Sequence, residues 1–466
     1  MSRSTRRHDQ STTVSEKSKL DVSQGYVKFL TFNTWGLKHV SKFRQERLCA
    51  IADKLAGYDN FLQLVDYRDV SDNNYQLDED PDDYDVVALQ EVWCKSDWDY
   101  IVDRCKGRYP YHRWFLSGMV AGPGLAILSK IPIESTFLYR FPINGRPSAF
   151  FRGDWYVGKS VSITLLKQTS PNTPQLCIMN SHMHAPYALE GDAAYDCHRT
   201  CQAWDFSRLA NLYRKSGYAV VIVGDLNCRP ASLPFKLLTK EADLEDSWEQ
   251  LNGKQDLQYI ARLLPMDQIK YGGVTCDSTL NTWRADRGPQ EACRLDHALI
   301  DPQRLQAVKA SVKFTERIPN VGSFSDHFGY SCTLKLLPTA GTTFKSKQLS
   351  REELILRISL HEEILQLIYT YMSTSRWQQL WRAGHFWLSV VFIAVIPIFI
   401  FITTRIVNWL SIFWVFISVI ITATGLLDGL ISYLFGNSEL RALEEVGQEV
   451  RDSKRSIQAS LDTSVS

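Results

Sequence analysis

The sequence predicts an α/β fold, two packed sheets flanked by helices, followed by a C-terminal transmembrane helical hairpin. Three observations predict it. Short β-branched runs that end in polar residues recur through residues 26–337. Helical patterns fall between several of them, the alternation that marks α/β proteins. Two uncharged apolar runs, each about 20 residues long, lie close together near the C-terminus, and each is long enough to cross a bilayer.

The 466 residues carry 52 Lys+Arg against 51 Asp+Glu and are 45% hydrophobic. That is enough apolar material for a sizeable core, so most of the chain is expected to fold. Balanced charge gives no general electrostatic reason to bind nucleic acid. Residues 1–25 open with a Ser/Thr/Lys/Arg-rich stretch that lacks an apolar core; they read as a disordered tail rather than a signal peptide. The ten cysteines contain no CxxC pair, which points to reduced thiols in the cytosol rather than to a disulfide framework or a zinc site.

Strands are expected in VKFLTFNTW, YDVVALQEVW, GLAILSKIPI, KSVSITLL, LCIMNSHMH, YAVVIVGDLN, RLDHALI and FGYSCTLKL. Helices are expected in FRQERLCAIADKLAGY and HRTCQAWDFSRLANLYRKSG. Residues 26–337 suit one domain, and 338–350 read as a linker. A juxtamembrane helical segment, 351–385, leads to membrane helices over 386–404 and 406–427, and 428–466 form a cytosolic helix and tail. Arg376 and Arg382 precede the first span, Arg441, Arg451, Lys454 and Arg455 follow the second, and only Arg405 lies between them. The positive-inside asymmetry puts both termini in the cytosol. Leu440, Leu443, Val446 and Val450 recur at spacings of three and four, and with the juxtamembrane segment they either pack together at the membrane surface or form a homodimer contact; the simpler reading is a pair of amphipathic helices capping the hairpin.

Acid, amide and imidazole side chains collect at the strand ends: Asn33, Glu91, His182, Asp225 with Asn227, Asp296, and Asp326 with His327. Any one of them alone reads as a cap or turn former; the whole set, each following an apolar run, reads as a site.

With these residues in view, FNTWGL, LQEVW, GLAILSK, NSHMHAPY, GDLN, RLDHALI and SDHFGY resemble the ordered motifs of the DNase I-like metal-dependent phosphodiesterase superfamily. The paired spans and GDWYVGKS narrow the resemblance to membrane-anchored neutral sphingomyelinases, and in particular to their fungal branch acting on inositol phosphosphingolipids. The resemblance implies a DNase I-like two-sheet sandwich and a phospholipase C that releases ceramide and a phosphorylated head group. It implies a membrane sphingolipid as substrate, anionic phospholipids as activators, and the endoplasmic reticulum or mitochondrial outer membrane as location. The alternatives are the same chemistry on inositol phosphates or nucleic acid, and a non-catalytic membrane-tethered scaffold.

In-line hydrolysis of a phosphodiester needs a cation, a base and donors aimed at the phosphoryl oxygens. Mg²⁺ favours carboxylate and amide oxygens and keeps several waters. The resemblance implies Glu91 as metal ligand, Asn33 assisting the metal or the phosphate, and Asp326 approaching the metal or its waters. It implies His327 as general base with its tautomer fixed by Asp296, a role suited to an imidazole near neutral pH. Asp225 would orient or deprotonate the attacking water and Asn227 would donate to the phosphate. His182 would be a phosphate donor or the proton source for the leaving group, the division between the two imidazoles staying open. His184 is expected to be structural.

GDWYVGKS fits the pattern GxxxxGK[ST], yet a P-loop needs a helix after it and SVSITLL reads as strand. The resemblance implies instead that Asp154 and Lys159 serve in this loop, with Lys159 either meeting a lipid phosphate or pairing with Asp154 to switch the loop. The plainer reading is a hairpin turn with two exposed charges.

Overall fold

The computed structural model describes residues 22–58, 82–149, 152–338 and 349–463. Most of the expected disordered tail and of the expected linker lies outside the described residues. The strands, in chain order, are β1 (Tyr26–Asn33), β2 (Val86–Gln90), β3 (Tyr111–Trp114), β4 (Ala126–Ser129), β5 (Ile133–Arg140), β6 (Ser160–Leu166), β7 (Leu176–His182), β8 (Ala219–Asp225), β9 (Glu245–Asp246), β10 (Asp296–Ile300), β11 (Leu305–Lys313), β12 (Arg317–Ile318), β13 (Gly322–Ser323) and β14 (Gly329–Leu336). They form two six-stranded sheets, β11-β14-β1-β2-β4-β3 and β5-β6-β7-β8-β10-β9, with β12 and β13 paired separately.

The eight expected strands are all present. They read as continuous apolar runs because both faces are covered. In β1, Val27 and Phe29 point into the layer between the sheets, with Ile178, Val221, Val223 and Ala298 from the other sheet. Leu30 and Phe32 point outward, beneath helices α1 (Arg44–Ala56) and α2 (Lys95–Cys105). One polar bridge crosses the layer: Gln90 Nε2 donates to Asn180 Oδ1 at 2.8 Å, and Asn180 Nδ2 donates to Leu89 O at 3.1 Å.

The short helix α3 (Asp154–Val157) precedes β6, and α4 (Asp196–Lys215) and α5 (Leu233–Lys240) cover the outer face of the second sheet. Three further short helices, α6 (Ser247–Asn252), α7 (Leu257–Ile260) and α8 (Pro265–Gly272), fill the connection to β10.

The C-terminal part differs from the expected segmentation. Helix α9 (Arg351–Thr403) runs unbroken for 53 residues, started by a capping box between Ser350 and Glu353. The change from amphipathic to apolar residues near position 386 alters what surrounds the helix, and the backbone hydrogen-bond ladder continues through it. Helix α10 begins at Leu410 (Leu410–Leu430), four residues later than the expected 406, because the chain reverses through residues 404–409. A π-helical turn, Ile431–Gly436, joins it to α11 (Asn437–Thr463). Helix α9 and the merged α10–α11 segment are each long and apolar enough to cross a membrane.

The hairpin closes on Gly425 and Gly429, where an added Cβ would meet Ser389 Cβ at 2.5 Å and Phe386 Cδ2 at 2.7 Å. This is a small-xxx-small contact that lets two helices approach closely. Leu443, Val446 and Val450 do not form a free stripe. They pack with Leu360, Ile364 and Ile368 of α9 and with Trp204 and Cys201 of α4, in one core. Of the readings weighed for that stripe, packing within the chain is the one these contacts show, against α9 and α4.

Candidate active site

Strand direction gathers the polar ends. β1 and β2 run parallel and end together, with Asn33 opposite Gln90 and Glu91 following. β14 is antiparallel to β1, so its N-terminus, preceded by Asp326 and His327, lies at the same end. In the second sheet His182 pairs with Asp225 and Asp225 pairs with Asp296. One rung of the second sheet thus carries three of the expected residues, facing the two strand ends of the first.

Asn33 ties the sheets together: its Nδ2 donates to Glu91 Oε1 and to Asp225 Oδ2, each at 3.0 Å. Glu91 sits at φ 60, a left-handed conformation uncommon outside glycine, which turns its carboxylate into the cleft. His327 Nδ1 lies 2.9 Å from Asp296 Oδ2, and its Nε2 lies 3.8 Å from Asp225 Oδ2. His182 Nε2 is 3.6 Å from Asp225 Oδ2 and 4.0 Å from Glu91 Oε1. Its Nδ1 is buried with no hydrogen-bond partner among the described residues. Asn227 N donates to Asp225 Oδ1 at 3.0 Å, and Asn227 Nδ2 donates to Met183 O at 3.0 Å. Asp326 stands slightly apart, receiving Arg284 at 2.5 Å.

The electrostatics separate the two imidazoles. Burial holds His182 well below its ordinary value, and the nearby positive charge of Lys159 adds to this. Burial also opposes charge on His327, but Asp296 and Asp225 outweigh it and hold the imidazolium well above its ordinary value. A cation in the cleft would oppose the pull of these carboxylates on the imidazole. Burial pushes the carboxyls of Glu91 and Asp225 up, with the charge of Asp326 adding to it at Glu91 and that of Asp296 at Asp225.

Among the described residues no group of three or more His, Cys, Asp or Glu side chains could hold a metal by itself. A buried excess of carboxylate is nonetheless the donor chemistry of a hard divalent cation that keeps part of its water, and the residues fit such an ion. Glu91 would hold it, with Asp326 in reach of its waters; Asn33, expected to assist the metal or the phosphate, turns Nδ2 to the carboxylates and accepts from Trp35 N through Oδ1 at 3.0 Å, so it orients Glu91 rather than offering an oxygen.

Asp154 and Lys159 are both buried, at 7% and 1% exposed, so the reading as a turn with exposed charges is corrected. Lys159 Nζ lies 3.1 Å from Asp154 Oδ1, and Tyr187 donates to Asp154 Oδ2 at 2.6 Å. β6 follows directly, as expected, so this loop is no P-loop. His184, expected to be structural, lies 3.7 Å from Asp154 Oδ2 and belongs to this cluster. The chain leaves the strand pattern after His182, so alternation no longer governs where His184 points.

Sequence reasoning missed three neighbours of the site. Cys276 Sγ lies 3.4 Å from His327 Nε2, Arg284 holds Asp326, and Ser325 Oγ donates to Asn33 O at 2.6 Å. Ser325 was legible beside Asp326 and His327; Cys276 and Arg284 come from an irregular connection without a local pattern.

The family model described as "Endonuclease/Exonuclease/phosphatase family" matches residues 30–327. The chain is 57% identical to "Inositol phosphosphingolipids phospholipase C" of Saccharomyces cerevisiae, over 95% of this chain and 93% of that one. It is 33% identical to the protein of the same description from Schizosaccharomyces pombe, over 92% and 94%. It is 30% identical to "Sphingomyelin phosphodiesterase 2" of Mus musculus, over 49% of each chain.

Proposed function

The chain belongs to the Endonuclease/Exonuclease/phosphatase family, and from that premise we propose that it is a Mg²⁺-dependent phospholipase C that hydrolyses inositol phosphosphingolipids at a membrane. Water adds to phosphorus, the bond from phosphorus to the ceramide oxygen breaks, and ceramide and a phosphorylated head group leave. The observation that carries the reading is the meeting of Asn33, Glu91, His182, Asp225, Asp296 and His327 at one end of both sheets. The full-length similarity to the two yeast proteins supports the inositol-bearing head group. Similarity to the mouse enzyme supports sphingomyelin as the second reading.

Mg²⁺ held at Glu91 would supply charge stabilisation for the phosphoryl oxygens. Asn33 fixes Glu91 and Asp225 relative to each other through its one amide nitrogen. Asp296 fixes the His327 tautomer, with the proton on Nδ1 and Nε2 aimed into the cleft, and His327 moves the proton of the attacking water. Asp225 orients that water between the two imidazoles. Burial opposes charge on His182, whose ring N–H is offered to a phosphoryl oxygen or to the leaving oxygen, and Asn227, tied to Asp225 and Met183 O, has one amide hydrogen left for the phosphate. Lys159 and Asp154 form the substrate or regulatory loop. The hairpin keeps the site beside an insoluble substrate, raising effective concentration. The basic flanks place both termini on the cytosolic side, and anionic phospholipids act as activators there.

Full-length protein in detergent with an anionic lipid, offered inositol phosphosphingolipid and sphingomyelin side by side, tests this. The expected result is Mg²⁺-dependent ceramide release, faster from the inositol lipid, abolished by His327→Ala. No release from either lipid overturns the substrate reading.

A further inference from the structure

The rim of the cleft carries apolar side chains that nothing among the described residues covers. In the loop 116–120, Leu116 is 61%, Met119 66% and Val120 80% exposed, and in the loop 185–191 Leu189 is 89% exposed. Single exposed apolar residues are ordinary on a protein surface. These are grouped on two loops that flank one element, α3, and that element is fixed to the hairpin.

Four contacts fix the height of the rim. Met119 N donates to Tyr156 O at 2.9 Å, which seats the first loop on α3. The ring of Trp155, the neighbouring residue, meets the ring of Phe435 at 5.0 Å. On the other side Tyr187 donates to Asp154 Oδ2, and Gln378 of α9 donates to Asp192 Oδ2 at 3.4 Å, which seats the second loop beside α9. Phe435 follows Tyr433 and Leu434, 45% and 58% exposed, and Gln378 follows Trp377, 66% exposed. Exposed aromatic residues just outside an apolar span mark the depth of the membrane–water interface. The rim is therefore held level with these aromatic residues, with its apolar tips exposed.

We propose that the loops 116–120 and 185–191 dock into the surface of the bilayer that the hairpin spans, with Met119, Val120 and Leu189 among the lipid chains and head groups. The occupant is the lipid surface because the loops continue the interface that the hairpin itself defines. The cleft containing Asp154 and Lys159 then opens onto the membrane face, and a lipid substrate rises into it without crossing bulk water. The inference rests on the hairpin being a membrane anchor; it does not depend on which head group is cleaved.

A photo-crosslinking benzophenone amino acid placed singly at positions 120, 189, 391 and 264, in the full-length protein in phosphatidylcholine bilayers, tests it by mass spectrometry. Val391 lies in the hairpin and Leu264 is a 72% exposed residue in the connection between α7 and α8. Lipid adducts at 120, 189 and 391 with none at 264 are the expected result. Adducts at 391 alone overturn the docking of the rim and leave the anchor standing; no adduct at any position overturns both; an adduct at 264 equal to that at 120 overturns the specificity of the patch. As a second measurement, the pair Val120→Ser and Leu189→Ser raises KM for bilayer substrate about tenfold and leaves hydrolysis of a short-chain, water-soluble analogue unchanged. An equal loss on both substrates overturns the proposal.

Discussion

Replacing Asp296 by Asn removes one charge from the middle of the site with little change in shape. The carboxylate is fully buried, and its Oδ2 lies 2.9 Å from His327 Nδ1. With charge centres about 4 Å apart, a pair at an effective dielectric near 20 interacts by about 4 kcal/mol. If that interaction is what holds His327 oriented and ready to carry a proton, its loss corresponds to roughly 10³-fold in kcat, at about 1.4 kcal/mol per tenfold. KM changes by less than about threefold, because Asp296 reaches substrate only through the imidazole. The fold survives: Asn still offers an oxygen to Nδ1, and the imidazole sheds its charge rather than staying buried unpaired. The amide nitrogen takes the place of Oδ1, which has no partner among the described residues, so a loss of about 1–3 kcal/mol is expected. Ceramide release across a substrate series gives kcat and KM, and thermal unfolding in the same detergent gives the stability. A kcat loss below tenfold in a folded protein would refute the reasoning, since Asp296 would then be a structural acid and His327 would take its orientation elsewhere.

Three further outcomes follow from contacts outside that pair. Burial pushes the Asp246 carboxyl up, but Arg294 and His297 outweigh it and hold it down to about 2; the group therefore contributes about 2 kcal/mol above its unfolded value near 4, lost as pH falls from about 4 through about 2. Asp246→Asn leaves Arg294 buried without its charge partner and is expected to cost about 3–5 kcal/mol at neutral pH in denaturant titrations, with a flatter slope below pH about 4; a wild-type-like midpoint would contradict this. Gly224 has φ 139, and a Cβ there would stand 1.9 Å from Ser181 O, so Gly224→Ala separates β7 from β8 beside His182 and Asp225. Ceramide release is expected to fall by at least about 10², and retention of full activity would show that the strands can part without moving the site. Leu443→Ala empties a fully buried position between α9 and α11 and is expected to cost about 2–5 kcal/mol. Limited proteolysis should then cut α11, and unchanged resistance would mean that the helix does not depend on this core.

The strands that bear the site were legible because each is buried on both faces and has a functional residue at or beside one end, so an apolar run and a polar terminus occur in the same few residues. β3, β5 and β11 escaped notice for the opposite reason. They lie at or next to sheet edges, and charged or half-exposed residues such as Arg113, Glu134 and Lys309 interrupt their pattern. The membrane runs were legible by length and lack of charge, yet the single helix through residue 386 was not, because composition reports the surroundings of a helix and not its hydrogen bonds. The stripe Leu443, Val446 and Val450 shows the same limit: periodicity announces a buried face without saying what buries it.

The sequence by itself determined the chemistry available to this protein: that the site-bearing strands would form, that carboxylates, amides and imidazoles would sit at their ends, and that two apolar spans would lie near the C-terminus. These properties are local, carried by consecutive residues and their spacing. Only the tertiary structure decided the rest. Strand order brings Asn33 to Glu91 and Asp225 across 192 positions of sequence, burial opposes charge on both imidazoles while Asp296 and Asp225 outweigh it at His327 alone, and the return of α11 onto α4 sets the cleft against the hairpin. Those outcomes depend on distances between residues remote in the chain and on the water excluded between them, and neither quantity exists until the chain has folded.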